Sequence, residues 1–200
     1  MHSLDPIGLL AASLALGLTA YLRGSRWLLA VALAAFAAWM SAEMTFSFFL
    51  PFSRVHLQGT GWRFLGCAAL FVVWRLLQAR HLPQRRDFNG VLDGFAVHLA
   101  GIGAVLLTLP GYFDRPLPSG TLTVGIAVLA VVVLLVGVVG WRRRQKGLVS
   151  AAIVYAFIGV GRLEVQFIDA TLPLVASILV TLVAAALILW RTRRRFTNRR

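Results

Sequence analysis

Seven apolar stretches, separated by short segments rich in Gly, Pro and Arg, constrain this chain more than any other feature. A helix that crosses a bilayer needs about 20 mostly apolar residues, and each stretch is close to that length. We therefore predict an all-α integral membrane protein, a bundle of about seven transmembrane helices in a single domain covering 1–200. The predicted spans are 7–22, 27–50, 62–78, 91–113, 122–141, 148–168 and 172–190.

The composition excludes an ordinary soluble domain. Hydrophobic residues make up 59% of the chain and charged residues 14%, whereas soluble domains average about 45–50% and about 25%. We therefore expect no soluble domain. The single cysteine, Cys67, cannot form an internal disulfide, and no Cys/His spacing is typical of a metal site. No metal and no cofactor are expected.

The basic residues are distributed as topology signals. With seven spans, sixteen of the twenty Lys and Arg residues fall on the side of the membrane that carries the connections after the first, third and fifth spans and the C-terminal tail. Such residues collect on the cytoplasmic side. This distribution predicts an outside N-terminus and a cytoplasmic C-terminus, with 191–200 as a basic tail. It also assigns the net charge of +13 to topology rather than to nucleic-acid binding, and favours the bacterial inner (plasma) membrane.

Charged residues inside predicted spans are the main candidates for function. Each costs about 2.5–3.5 kcal/mol at a helix centre and needs a partner or a wet cavity. Glu43, Arg162, Glu164 and Arg63 all fall in the outer third of the bilayer when depth is counted along the helices. We predict a Glu43–Arg162 ion pair, with Glu164 facing Arg63. The alternative is that these charges only lock helices together or extend to the lipid head groups.

Two further polar residues share a helical face with Arg162. Tyr155 and Gln166 lie on that face of the sixth span. We therefore predict that these residues, together with Glu43, line a polar cavity that is open to the outside. The candidate residues for a substrate or ion pathway are therefore Glu43, Arg162, Gln166, Tyr155, Glu164 and Arg63.

Two ionisable residues in the fourth span are candidates for a proton relay. His98 lies close to the middle of the membrane and Asp93 nearer the cytoplasm. No second histidine lies at a matching depth, which argues against a bis-histidine haem. The simpler interpretation of His98 is one hydrogen bond across a helix interface.

Basic runs and small-residue faces suggest partners. Two arginine runs are candidates for anionic lipid head groups: Arg142, Arg143, Arg144, Arg193, Arg194 and Arg195. Faces such as Ser13/Gly17, and Gly137 near Gly140, are typical of helix packing and could also join copies of the chain or a hetero-complex.

Three functions remain open from the sequence. The first is a small carrier or permease-like transport protein that uses the outward polar cavity. The second is a non-catalytic subunit or assembly factor of a larger membrane complex. The third is a lipid-active enzyme with Glu43 or His98 as general base. We consider enzymatic activity the weakest of the three because no nucleophile, metal set or pair of carboxylates occurs at a recognisable spacing.

Overall fold

The computed structural model describes residues 6–48, 57–109, 119–167 and 171–197, and the prediction of an all-helical chain is confirmed there: these ranges contain no strand. A 3₁₀ helix, Pro83–Phe88, connects the third and fourth of seven α-helices. The α-helices are α1 (Pro6–Arg23), α2 (Arg26–Phe48), α3 (Leu57–His81), α4 (Asn89–Thr108), α5 (Ser119–Arg142), α6 (Lys146–Phe167) and α7 (Thr171–Thr197).

Four of these helices contain a stretch that is long and apolar enough to cross a membrane, which indicates a membrane protein. They include α3 and α6, whose predicted spans carry charges. The four stretches are Gly59–His81, Asn89–Thr108, Leu122–Arg142 and Lys146–Val165. The described parts of α1, α2 and α7 contain shorter apolar stretches: Gly8–Arg23, Arg26–Trp39 and Ala176–Thr192.

Local sequence accounts for the connection between α1 and α2. Gly24 ends α1 in a left-handed conformation with φ of +68°, which glycine adopts without steric cost. The Ser25 hydroxyl then accepts a hydrogen bond from the Leu28 N–H at 3.4 Å, at the start of α2. The last helix, α7, continues to Thr197 and so includes much of the basic segment 191–200.

The helices pack as sequential pairs around α4. The pairs are α1 with α2, α3 with α4, and α5 with α6, while α4 also contacts α2, α5 and α6, and α7 packs on α6. The short connections make each pair antiparallel. The larger apolar core lies among α1 to α4 and contains Leu29, Phe71 and Leu92, and a smaller one joins α4, α5 and α6 through Leu129 and Tyr155.

Small residues let the helices approach closely. A Cβ atom at Gly61 of α3 would lie 2.7 Å from the carbonyl oxygen of Gly103 in α4, and one at Gly103 would lie 2.8 Å from that of Gly61. The backbones are therefore in direct contact, as in many membrane helix pairs. A Cβ at Gly140 would lie 2.8 Å from Leu148 Cβ, and Ser13 is buried, so these predicted packing faces are used within the chain.

A polar network joins the helices at one end of the bundle, where α1, α3 and α5 end and α2, α4 and α6 begin. We call this the basic end. The buried Gln78 accepts a hydrogen bond from the Tyr21 hydroxyl and donates one to the Arg85 carbonyl oxygen at 2.7 Å. The Trp74 indole N–H donates to the Tyr21 oxygen at 2.8 Å. This network ties α1, α3 and the 3₁₀ helix together.

Candidate functional site: a charged cluster at the end of an apolar cavity

Two arginines and one aspartate from three segments meet at the basic end. Arg75 Nε lies 2.9 Å from Asp93 Oδ1, and Arg143 Nη1 lies 3.5 Å from Asp93 Oδ2. The side chains of Arg75 and Asp93 are 17% and 14% exposed, whereas that of Arg143 is 41% exposed. The cluster thus combines a close, largely buried ion pair, in which Arg75 Nε makes no hydrogen bond within the described structure, with a second cation that lies farther from Asp93. Its formal charge is +1.

The helical hairpin brings the first two of these residues to the same depth. Arg75 lies six residues before the end of α3 at His81, and Asp93 lies four residues after the start of α4 at Asn89. At 1.5 Å per residue the two positions are about 9 Å and about 6 Å from the adjoining helix ends. Arg143 follows α5 directly, and its N–H donates to the Val139 carbonyl oxygen at 2.9 Å, which continues the helical turn towards Asp93.

An apolar cavity of about 390 Å³, open on one side, extends from this cluster between α3 and α5. Both α3 and α5 pack on α4, and the cavity lies in the gap between them. Its floor is formed by small side chains of α4, Ala96, Val97 and Ala100, and its walls by residues such as Ala68 in α3 and Val136 in α5. A volume of this size is within the range of small-molecule sites, about 300–1,000 Å³.

The cavity has two chemically distinct parts. Asp93, Arg75 and Arg143 are its charged lining residues, and they lie together at the basic end. The other lining residues are aliphatic or alanine. An apolar body with a few converging polar groups is the usual composition of a ligand site.

Arg162, at the centre of the predicted outer site, contacts the end of α4 in the described structure. The guanidinium Nη2 donates to the Thr108 carbonyl oxygen at 2.8 Å, in the last turn of α4. Carbonyl groups at a helix C-terminus carry partial negative charge, so an arginine stabilises that end. For Glu43 and Gln166 the structure describes the helical backbone but not the side chains. The Glu43–Arg162 pair therefore stays a prediction.

Glu164 reaches α7 rather than α3. Its Oε1 accepts a hydrogen bond from the Thr181 hydroxyl, while its Oε2 is buried without a hydrogen bond among the described residues. Arg63, which the sequence placed opposite Glu164, is exposed, and no ion pair joins the two in the described structure. The helix-packing order accounts for the difference, because α6 packs against α7 and α4.

Tyr155 and His98 contact each other across the α4–α6 interface. The Tyr155 hydroxyl lies 3.2 Å from His98 Nδ1 and donates to the His98 carbonyl oxygen at 3.3 Å. The tyrosine is buried and the histidine exposed. Within the described structure, His98 therefore contacts α6 through Tyr155. Asp93, the other proposed relay residue, belongs to the charged cluster.

The arginines proposed as lipid ligands differ from one another. Arg142 and Arg144 are exposed, and neither lines the cavity, whereas Arg143 does. The side chains of Arg193, Arg194 and Arg195 lie outside the described residues.

Arg75 and the cavity were not identified as a site from the sequence. The sequence did contain a usable signal. Arg75 lies shortly before the end of one predicted span, and Asp93 lies shortly after the start of the next. In an antiparallel hairpin, two such positions lie at the same depth. The cavity itself had no such signal, because it depends on how α3 and α5 are spaced on α4.

The comparisons with known proteins give no function for this site. Comparisons with protein-family models, curated proteins and solved structures find no match for the chain. Among the described residues, no group of three His, Cys, Asp or Glu side chains could hold a metal ion. The chemistry of the cluster and its cavity therefore carries the functional argument.

Proposed function

We propose that this chain is a small carrier or permease-like membrane protein whose solute site is the cavity between α3, α4 and α5. The single observation that supports this is an apolar cavity with a net positive cluster at one end. Such a site suits a solute with an apolar body and one negative group, since that group neutralises the cluster and the body replaces water or lipid in the cavity.

This proposal moves the solute site away from the outer polar cavity expected around Arg162. That guanidinium already holds the end of α4 at Thr108. Arg143, in contrast, is partly exposed and contacts Asp93 at a longer distance than Arg75 does. A cation with spare donors at the mouth of a cavity is better suited to bind and release an anion.

We further propose that all seven helices cross the bacterial inner (plasma) membrane, with the N-terminus outside and the C-terminus in the cytoplasm. The support is the collection of basic residues at the basic end, including Arg23, Arg26, Arg80 and Arg143, which the positive-inside tendency assigns to the cytoplasm. In this orientation the charged cluster lies at the cytoplasmic head-group level.

Cysteine labelling tests the orientation. In a Cys67→Ala background, Ser3→Cys is expected to react with a membrane-impermeant maleimide in intact cells, and Thr197→Cys only after permeabilisation, because the two ends lie on opposite sides. Ser25→Cys, between α1 and α2, is the matched internal control and should behave like Thr197→Cys. Equal labelling of positions 3 and 197 in intact cells would contradict the odd number of crossings.

Uptake of an aromatic sulfonate tests the carrier function. Naphthalene-2-sulfonate has an apolar body and a permanent charge, so it crosses bare lipid slowly. We expect proteoliposomes to accumulate the labelled anion faster than protein-free liposomes. Arg143→Gln is expected to reduce the initial rate about tenfold, since a charge-assisted hydrogen bond is lost.

Two neighbouring substitutions control for general damage. Arg142→Gln removes an adjacent exposed arginine outside the cavity, and Val138→Phe enlarges an exposed residue of α5 that does not line it; both should retain uptake. Val136→Phe, which projects into the cavity wall, should block it. Uptake equal to that of protein-free liposomes, or an equal loss in all four variants, would overturn the proposal.

A further inference from the structure

We infer that the cavity binds the chain of a single-chain, monoanionic amphiphile, of which a long-chain fatty acid is the simplest example, with its head group at Arg143. The inference rests on the proposed function, because it takes this cavity as the solute site and the basic end as lying at a membrane surface. It narrows the solute from any organic anion to one that enters from the lipid.

The dimensions of the cavity match one leaflet of a bilayer. Its lining extends from Leu65 to Leu76 in α3 and from Val132 to Arg143 after α5, and each distance is about 16 Å at 1.5 Å per residue. Half of a hydrocarbon core about 30 Å thick is about 15 Å. A chain whose head group lies at the cluster therefore extends to about the middle of the membrane.

The cavity opens sideways between α3 and α5. Val72 and Leu76 of α3 and Leu135 of α5 both line it and belong to the exposed outer surface of the bundle, with exposures of 46%, 54% and 61%. In a bilayer that surface faces acyl chains. A lipid chain can thus enter from the leaflet without leaving the hydrocarbon phase, whereas an entirely water-soluble solute has to pass the charged cluster.

The net positive charge of the cluster determines which head group the cavity prefers. Asp93 neutralises one of the two arginines, so one negative charge is needed to balance the other. Arg75 is the closer partner of Asp93, at 2.9 Å against 3.5 Å for Arg143, and Arg143 is the more exposed. A planar guanidinium with five donors can bind a carboxylate through two parallel hydrogen bonds while remaining near Asp93. A neutral head group would leave the charge unbalanced.

Binding of a single-chain anionic amphiphile in the cavity can be tested with a photoreactive palmitate that carries a diazirine in its chain. The full-length protein in phosphatidylcholine nanodiscs is illuminated with this probe, and the modified residues are located by mass spectrometry. We expect labelling to concentrate on the cavity residues of α3, α4 and α5. Unlabelled palmitate should compete, while hexadecanol, which has the same chain without the charge, should compete at least about tenfold less well.

Variants separate the two parts of the site. Arg143→Gln should weaken palmitate competition about tenfold, and Val136→Phe should abolish cavity labelling. Arg142→Gln and Val138→Phe should leave both unchanged, because neither side chain lines the cavity. Size-exclusion profiles identify any variant that fails to fold. The side chain of Arg143 is partly exposed, so we expect Arg143→Gln to fold, and its palmitate competition can be compared with that of the unmodified protein.

The outcomes distinguish this inference from the proposed function. Labelling spread evenly over exposed helix surfaces, or hexadecanol competing as well as palmitate, overturns the inference. If naphthalene-2-sulfonate uptake still depends on Arg143 and Val136 in that case, the carrier function stands with a water-soluble anion as solute. Charge-dependent cavity labelling without any uptake supports the lipid site and rejects the carrier. Preferential competition by two-chain phosphatidylglycerol vesicles would show a membrane phospholipid instead and would also reject the inference.

Discussion

Asp93→Ala is expected to destabilise the protein by about 3–5 kcal/mol, the effect of removing one partner from a buried ion pair. Asp93 is the acid of the cluster, with Arg75 at 2.9 Å and Arg143 at 3.5 Å. Without it, two guanidinium groups line the same end of an apolar cavity, and the less exposed one, Arg75, has no countercharge in the described cluster. The loss is measured by unfolding the purified protein in detergent micelles, by heat or by denaturant.

A second substitution distinguishes loss of charge balance from loss of packing. In Asp93→Ala/Arg75→Met the unpaired buried cation is also removed, so much of the stability should return, and the two effects should be clearly non-additive. Asp87→Ala is the matched control, because Asp87 pairs with Arg26 at 2.7 Å at a largely exposed site. Exposed ion pairs contribute little to the free energy of unfolding, so this variant should lose little stability. Equal losses for Asp93→Ala and Asp87→Ala, or strict additivity in the double variant, would contradict a buried, coupled cluster.

The helices were predictable because they depend on local sequence. A chain in lipid has to satisfy its backbone hydrogen bonds within each segment, so apolar length and breakers are strong signals. Gly24 ends α1 near its predicted end, and the charged spans around Arg75 and Arg162 are helical. Within the described ranges, each predicted span overlaps one α-helix.

The partners of the charged side chains depend on packing, which the sequence does not encode locally. Counting residues gave a depth for Arg162 and Glu164, and helical phase gave each a direction, but neither says which helix is adjacent. The neighbours of α6 are α4, α5 and α7, so Arg162 reaches Thr108 and Glu164 reaches Thr181. Backbone carbonyls at helix ends are also partners that a search for opposite charges overlooks.

The connection between the third and fourth spans contains the other feature that the sequence did not reveal. Pro83 and the pair Asn89–Gly90 mark it as a turn, and connections usually lie on the surface. Instead it forms a 3₁₀ helix, and Phe88 at its end is 1% exposed within the larger apolar core. Its ring contacts Tyr21 edge to face, with the centroids 5.0 Å apart.

Phe88→Ala is therefore expected to cost about 3–5 kcal/mol, the range for removing a buried aromatic ring. The cavity it leaves adjoins Tyr21, whose hydroxyl bonds to Gln78, so the polar network at the basic end should loosen as well. Unfolding in detergent micelles measures the loss of stability, and faster hydrogen exchange in the last turns of α1 and α3 would report the loosening.

Leu82→Ala provides the matched control for Phe88, because it removes a large apolar side chain from the same connection at a position that is 48% exposed. Little stability should be lost there, since a half-exposed side chain leaves no cavity when it is truncated. If Phe88→Ala and Leu82→Ala are equally mild, the connection is an ordinary surface turn and the 3₁₀ helix contributes nothing to the core. A large loss for Phe88→Ala alone would show that this connection holds α1 against α3, and thereby supports the α3–α4 hairpin on which Arg75 and Asp93 meet.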